Sequence, residues 1–150
     1  MIQRIQSVYL LVVTILLIVC MCTPVGAYIA EDYSVSKFTN LCIVSADGVK
    51  DYAPWAMFVI LLVAALLSFT TIFMFKKRML QIRMTIFSTI LLVGYYATLI
   101  TFIFMLKDDS MTFSASWTLC LPFVAIILNW LAIRAIGKDE VLVKAYDRLR

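Results

Sequence analysis

Cys20, Cys22, Cys42 and Cys120 are the residues of this chain best suited to covalent chemistry. A thiolate attacks disulfides and binds soft metals, and paired cysteines can exchange electrons. Dithiol chemistry normally uses two cysteines separated by two residues. Here Cys20 and Cys22 are separated by one, at the end of an apolar run, and are too close to pair without strain. Two readings stay open: four inert small thiols, or one structural disulfide joining Cys42 to Cys22 or to Cys120. Other chemistry is narrowed by absence. The chain has no histidine, which removes bis-His haem ligation, His-based zinc or iron sites and Ser–His or Cys–His catalytic pairs. It has only 4 glycines and no glycine-rich phosphate loop. No metal and no cofactor is expected from these residues.

A second set of polar residues lies within otherwise apolar segments. Thr85, Ser88, Thr89, Tyr95 and Tyr96 recur broadly along one side of a helix. Ala64, Ser68 and Thr71 do so in a second segment, and Ala125, Asn129 and Ala132 in a third. Small residues let helix backbones approach closely, and Ser, Thr, Tyr and Asn hydrogen-bond between helices. These stripes therefore fit helix packing. The alternative is a pocket for a lipid or quinone around Tyr95, Tyr96 and Asn129. Asn129 is the least expected of them, because an amide facing lipid would be left unpaired at a cost of a few kcal/mol. It is expected to face another helix or a partner.

The segments that carry these residues read as membrane spans. The chain of 150 residues is 64% hydrophobic and 15% charged, and its charges leave four windows empty: residues 5–27, 54–75, 84–106 and 117–133. A helix needs about 20 apolar residues to cross roughly 30 Å of hydrocarbon. A soluble core helix of that length would show a polar face. The expectation is one all-α domain, 1–150, with four transmembrane helices at about 5–27, 54–75, 84–106 and 117–136. The first run is longer than a signal-peptide core and has only Arg4 before it, which argues against cleavage. Proton relays, charge-coupled carriers and voltage sensors need ionisable groups at depth, and the four windows hold none.

Basic residues set the orientation. Ten of the thirteen (Arg4, the 76–83 connection, and Arg134 onward) fall on one side, and Lys37, Lys50 and Lys107 on the other. The positive-inside rule makes both termini cytoplasmic and accounts for the net charge of +4 without a nucleic-acid partner. Tyr28, Tyr52, Trp55 and Trp117 then fall near the outer boundary, where aromatic anchors are common. The outer side has a loop at about 28–53 and a short one at 107–116. The β-forming residues 38–44 and the Asp47-Gly48 turn signal suggest a small hairpin in the first. All four cysteines lie on this outer half, the oxidising side in a bacterium. Four spans with outward cysteines have a counterpart in membrane thiol oxidoreductases that pass electrons to quinone, though those use the wider cysteine spacing.

After Ile133 the pattern changes. Arg134 ends the apolar run, and Gly137 is expected to break or bend the helix. Val141, Leu142, Ala145, Tyr146 and Leu149 then mark one face of a short amphipathic helix in a cytoplasmic tail, about 137–150. Its mixed charges suit a protein surface at least as well as anionic lipid. Asp139, Glu140, Tyr146, Asp147, Arg148 and Arg150 are the candidate docking residues.

The opening residues MIQRIQSVYLL and the closing AIRAIGKDEVLVKAYDRLR resemble a family of short bacterial inner-membrane proteins of the Bacteroidota type, described only as a domain of unknown function. The resemblance rests on the closing Asp-Arg-Leu-Arg (Asp147 to Arg150) and the Lys-Asp-Glu segment Lys138 to Glu140. It implies four helices and the cell inner membrane, with no catalytic or binding residues. The combined expectation is a non-enzymatic accessory or scaffold subunit, in contact with membrane lipids and other membrane subunits, with a homo-oligomer left open. The alternative is a quinone- or lipid-binding protein, or a thiol-redox protein using the outer cysteines.

Overall fold

The first apolar run ends as a helix earlier than its hydropathy suggests, because a proline lies within it. Thr23 precedes Pro24, and a residue before proline is pushed out of the helical region. The Thr23 amide and hydroxyl both donate to the Val19 carbonyl, at 3.1 and 2.8 Å, which closes the last turn. In the computed structural model, which describes residues 2–107 and 109–149, helix α1 is Ile2–Cys22 and the chain turns directly into strand β1, Pro24–Ala30. The end of the expected first span is therefore a strand.

The remaining helices are α2 (Trp55–Phe73), α3 (Arg78–Leu106) and α4 (Cys120–Arg148), the last entered through a 3-10 turn at Trp117–Leu119. Proline is tolerated where it occurs: Pro54 caps α2, and Pro122 lies in the first turn of α4. Each helix packs on its neighbours in chain order, and α4 closes back on α1. All four are long and apolar enough to cross a membrane.

The expected hairpin is part of something larger. Strands β1, β2 (Val35–Thr39), β3 (Ile43–Val44), β4 (Lys50–Asp51) and β5 (Met111–Ala115) form one antiparallel sheet in the order β4-β3-β2-β1-β5. The fold is therefore helical with a small sheet, rather than all-α. Asp47-Gly48 does form a turn, with Gly48 at φ +81° and the Ser45 amide donating to Val49. The 107–116 connection, read as a plain loop, supplies β5, which pairs with β1 from Gly26↔Ala115 to Ala30↔Met111. The sheet thus joins the α1–α2 and α3–α4 connections at one end of an up-down-up-down bundle.

Gly26 is required by that pairing. A Cβ there would lie 2.6 Å from the Ser114 carbonyl oxygen and 2.7 Å from the Phe113 ring. The inner face of the sheet carries Val25, Tyr28, Phe38 and Ile43, which share one core with Leu17, Met57, Leu61, Tyr95 and Leu99 of the helices. Tyr28 is therefore not a boundary anchor. It is buried against Phe38 and Phe113, with ring centroids 5.8 and 5.1 Å away. Its hydroxyl is buried without a hydrogen-bond partner, and burial raises its pKa above the ordinary phenol value. Trp55, Trp117 and Tyr52 are exposed.

The bundle buries uncharged polar residues within a mainly apolar core and exposes many apolar side chains. Gln6, Thr14, Ser68, Thr71, Gln81, Thr85, Ser88 and Asn129 are buried, while Ile5, Val8, Ile15, Leu66, Ile90 and Phe104 are among many exposed apolar side chains. Most interior threonines satisfy themselves. Thr14, Thr71 and Thr85 each donate to the carbonyl four residues earlier. Ser68 and Ser88 link α2 to α3 at 3.3 Å, and the Gln81 amide donates to the Thr71 carbonyl at 3.3 Å.

Candidate functional site

The buried polar residues converge most tightly where the helices meet the sheet. Helix α1 brings Cys20, α3 brings Tyr95, and the turn between β2 and β3 brings Asn40. The Tyr95 hydroxyl donates to Asn40 Oδ1 at 2.7 Å, and Asn40 Nδ2 donates to the Cys20 carbonyl at 2.7 Å. Tyr95 and Asn40 are completely buried, and Cys20 nearly so. The neighbouring Tyr96 donates to the Leu119 carbonyl at 2.6 Å, just before α4. One pair of tyrosines thus fixes α3 to α1, to the sheet and to the entry of α4.

The turn that presents Asn40 is held locally. The Thr39 amide donates to the Cys42 carbonyl at 3.0 Å, and the Cys42 amide donates to the Thr39 hydroxyl at 3.1 Å. Sequence reasoning does not single out Asn40. A polar residue between two β-forming runs reads as an ordinary turn residue, and only its burial shows otherwise.

Asn129 does face the bundle interior, at 0% exposure, but neither its amide nitrogen nor its carbonyl oxygen has a hydrogen-bond partner. The structure does not bring it into the tyrosine network: the Tyr95 and Tyr96 hydroxyls are engaged with Asn40 and Leu119. A cavity of about 300 Å³ opens instead between α1 and α2, lined by Ile18, Met21, Cys22, Phe58, Leu62 and Phe69 among others.

The four cysteines are free thiols, so none of Cys22, Cys42 and Cys120 is bonded to another. They lie at separate places. Cys22 faces the α1–α2 cavity, Cys42 sits in the Thr39 turn, and Cys120 is exposed at the start of α4. Among the described residues, no three His, Cys, Asp or Glu side chains come together as a metal site.

The tail differs most from expectation. Gly137 does not interrupt the helix, and α4 runs unbroken through it to Arg148. A single interior glycine costs about 1 kcal/mol, too little to stop a helix supported on both sides. Two of the docking candidates are engaged within the chain. Asp139, with its side chain 13% exposed, lies 3.4 Å from the Arg78 guanidinium at the start of α3, and Glu140 lies 3.3 Å from Lys144. Tyr146, Asp147 and Arg148 are exposed, and Arg150 lies outside the described residues. The apolar face of this segment is uncovered, with Tyr146 77% and Leu149 88% exposed.

A family model described as "Domain of unknown function (DUF4293)" matches residues 2–149, and the chain belongs to that family. No curated protein matches it.

Proposed function

We propose that this chain is a non-enzymatic integral protein of a bacterial inner membrane, with four spans and both termini cytoplasmic. In this reading it serves as an accessory or scaffold subunit that docks on a larger membrane assembly. Membrane insertion is supported by the apolar exterior of the bundle and by the uncharged polar residues buried between its helices. The docking role rests on one observation. Helix α4 continues beyond the apolar span for several turns, and Val141, Leu142, Tyr146 and Leu149 there are all exposed. Apolar residues interleaved with charges suit a protein groove, in which a helix is read by its periodic anchors.

The test is a photo-crosslinking residue at Tyr146, combined with truncation after Ile136. The expected result is an adduct of fixed mass with a different membrane polypeptide, together with loss of that polypeptide from the truncated protein. Adducts to lipid alone, or an unchanged partner set after truncation, would remove the docking reading.

The α1–α2 cavity favours a second reading, in which an isoprenoid or acyl chain lies against Ile18, Phe58 and Phe69. An isoprenoid quinone retained in a fixed ratio after purification, and released by Leu62→Trp, would support it.

A further inference from the structure

At the end of the bundle opposite the sheet, two stretches far apart in sequence enclose a groove of about 810 Å³. The α2–α3 connection contributes Lys76 and Lys77, the first turns of α3 contribute Arg78 and Arg83, and the far end of α4 contributes Lys144 and Glu140. Five cationic side chains thus line the groove with one carboxylate, and that carboxylate is already 3.3 Å from Lys144. Arg78 is held in the wall by Asp139 at 3.4 Å.

The positive-inside rule explains why the connection is basic. It requires only that the charges lie on one side of the membrane. It does not require them to converge with a helix end some sixty residues later on one concavity. The local electrostatics are also unbalanced. The groove sits at the N-terminus of α3, which has Lys77 as its cap, Arg78 as its first residue, no acidic residue in its first turn and no side-chain cap. A helix N-terminus carries partial positive charge and favours anions, so clustered cations there repel it until an anion is bound. The remaining walls are apolar. Phe75, Met79 and Val143 line the same groove and are themselves exposed.

We propose that this groove binds the phosphate headgroup of an anionic phospholipid from the cytoplasmic leaflet. Lys76, Lys77 and Arg83 would face the phosphate, and Phe75, Met79 and Val143 the start of the acyl chains. The proposal rests on the membrane-inserted reading above, with this end cytoplasmic. It favours a lipid over a soluble phosphate because a free anion would gain nothing from the apolar walls.

The experiment uses the full chain in phosphatidylcholine nanodiscs containing a minor fraction of phosphatidylglycerol, with retained lipid counted by native mass spectrometry. The triple variant Lys76→Gln, Lys77→Gln, Arg83→Gln is expected to lose phosphatidylglycerol retention by roughly tenfold or more, since each basic residue near the surface contributes to attraction. Replacing the same three residues with basic alternatives (Lys76→Arg, Lys77→Arg, Arg83→Lys) should preserve it. A control triple outside the groove, Arg4→Gln, Lys138→Gln, Arg148→Gln, should retain the lipid nearly as the parent does. Equal losses in the two neutralised triples would overturn the groove, leaving only diffuse charge. Displacement of the lipid by millimolar inorganic phosphate would overturn the lipid as occupant in favour of a soluble anion. Failure of the parent chain to insert into phosphatidylcholine nanodiscs would overturn the membrane reading and this proposal together. Insertion without selective retention would overturn this proposal alone.

Discussion

Asn40 joins three elements through two hydrogen bonds, and its removal has a predictable signature. Asn40→Ala leaves the Tyr95 hydroxyl unpaired and takes from the Cys20 carbonyl its closer donor, leaving it only the Thr23 hydroxyl at 3.4 Å, whereas Tyr95→Phe leaves only Asn40 Oδ1 unpaired. A buried polar group left unpaired costs about 1–3 kcal/mol. Asn40→Ala should therefore destabilise the protein more than Tyr95→Phe in thermal unfolding in detergent. The double variant should be close to Asn40→Ala alone, because both changes remove the same bond. Fully additive losses would mean that the two residues act separately. Asn129 should behave in the opposite way. Its amide is buried without a partner, so Asn129→Leu should leave stability unchanged or raise it, and a loss above about 2 kcal/mol would reveal a partner. The free cysteines give a third test. Chain unfolded without reductant should titrate four thiols, and two missing thiols would reveal a disulfide. At this scale Tyr95 and Asn129 were legible in the sequence as polar groups turned to other helices, and Tyr96 beside them is half-buried. Asn40 was not, because its importance depends on a tyrosine 55 residues away.

Two glycines separate what an element needs from what its sequence suggests. Gly26 pairs with Ala115 of β5, and any side chain there meets the Ser114 backbone and the Phe113 ring. Gly26→Ala should cost roughly 1–3 kcal/mol and loosen β5, read as faster hydrogen exchange at residues 111–115. Gly137 sits within a continuous helix with open space around its Cα. Gly137→Ala should raise stability by up to about 1 kcal/mol. A break at Gly137 would instead make the alanine neutral or harmful. Local signals identified the helices well, because spans of about 20 apolar residues leave little choice of structure. They identified the sheet poorly. The Asp47-Gly48 turn was readable, but β5 is defined by pairing with a strand more than 80 residues earlier, and no periodicity within 107–116 announces it. The early end of α1 was readable in principle from Thr23-Pro24, a signal overridden by the hydropathy of residues 24–27.

Across the whole molecule, one asymmetry organises the rest. The sheet gathers two connections at one end, and the basic groove and the uncovered end of α4 lie at the other. Between them the exterior is apolar, and the mainly apolar interior includes several uncharged polar residues. Such a bundle is suited to lipid on its sides and water at its ends, and the proposed orientation, which follows the bias of basic residues, has the groove end in the cytoplasm. Labelling of single cysteines in intact cells tests this most directly, in a background with the four native cysteines replaced. A membrane-impermeant maleimide added from outside should reach cysteines placed at Ala46 in the β3–β4 turn and at Ser114 in β5. It should reach those at Lys77 and Ala145 only after the cells are broken. Labelling at Lys77 or Ala145 in intact cells, with Ala46 and Ser114 protected, would contradict the orientation and every function assigned to either end.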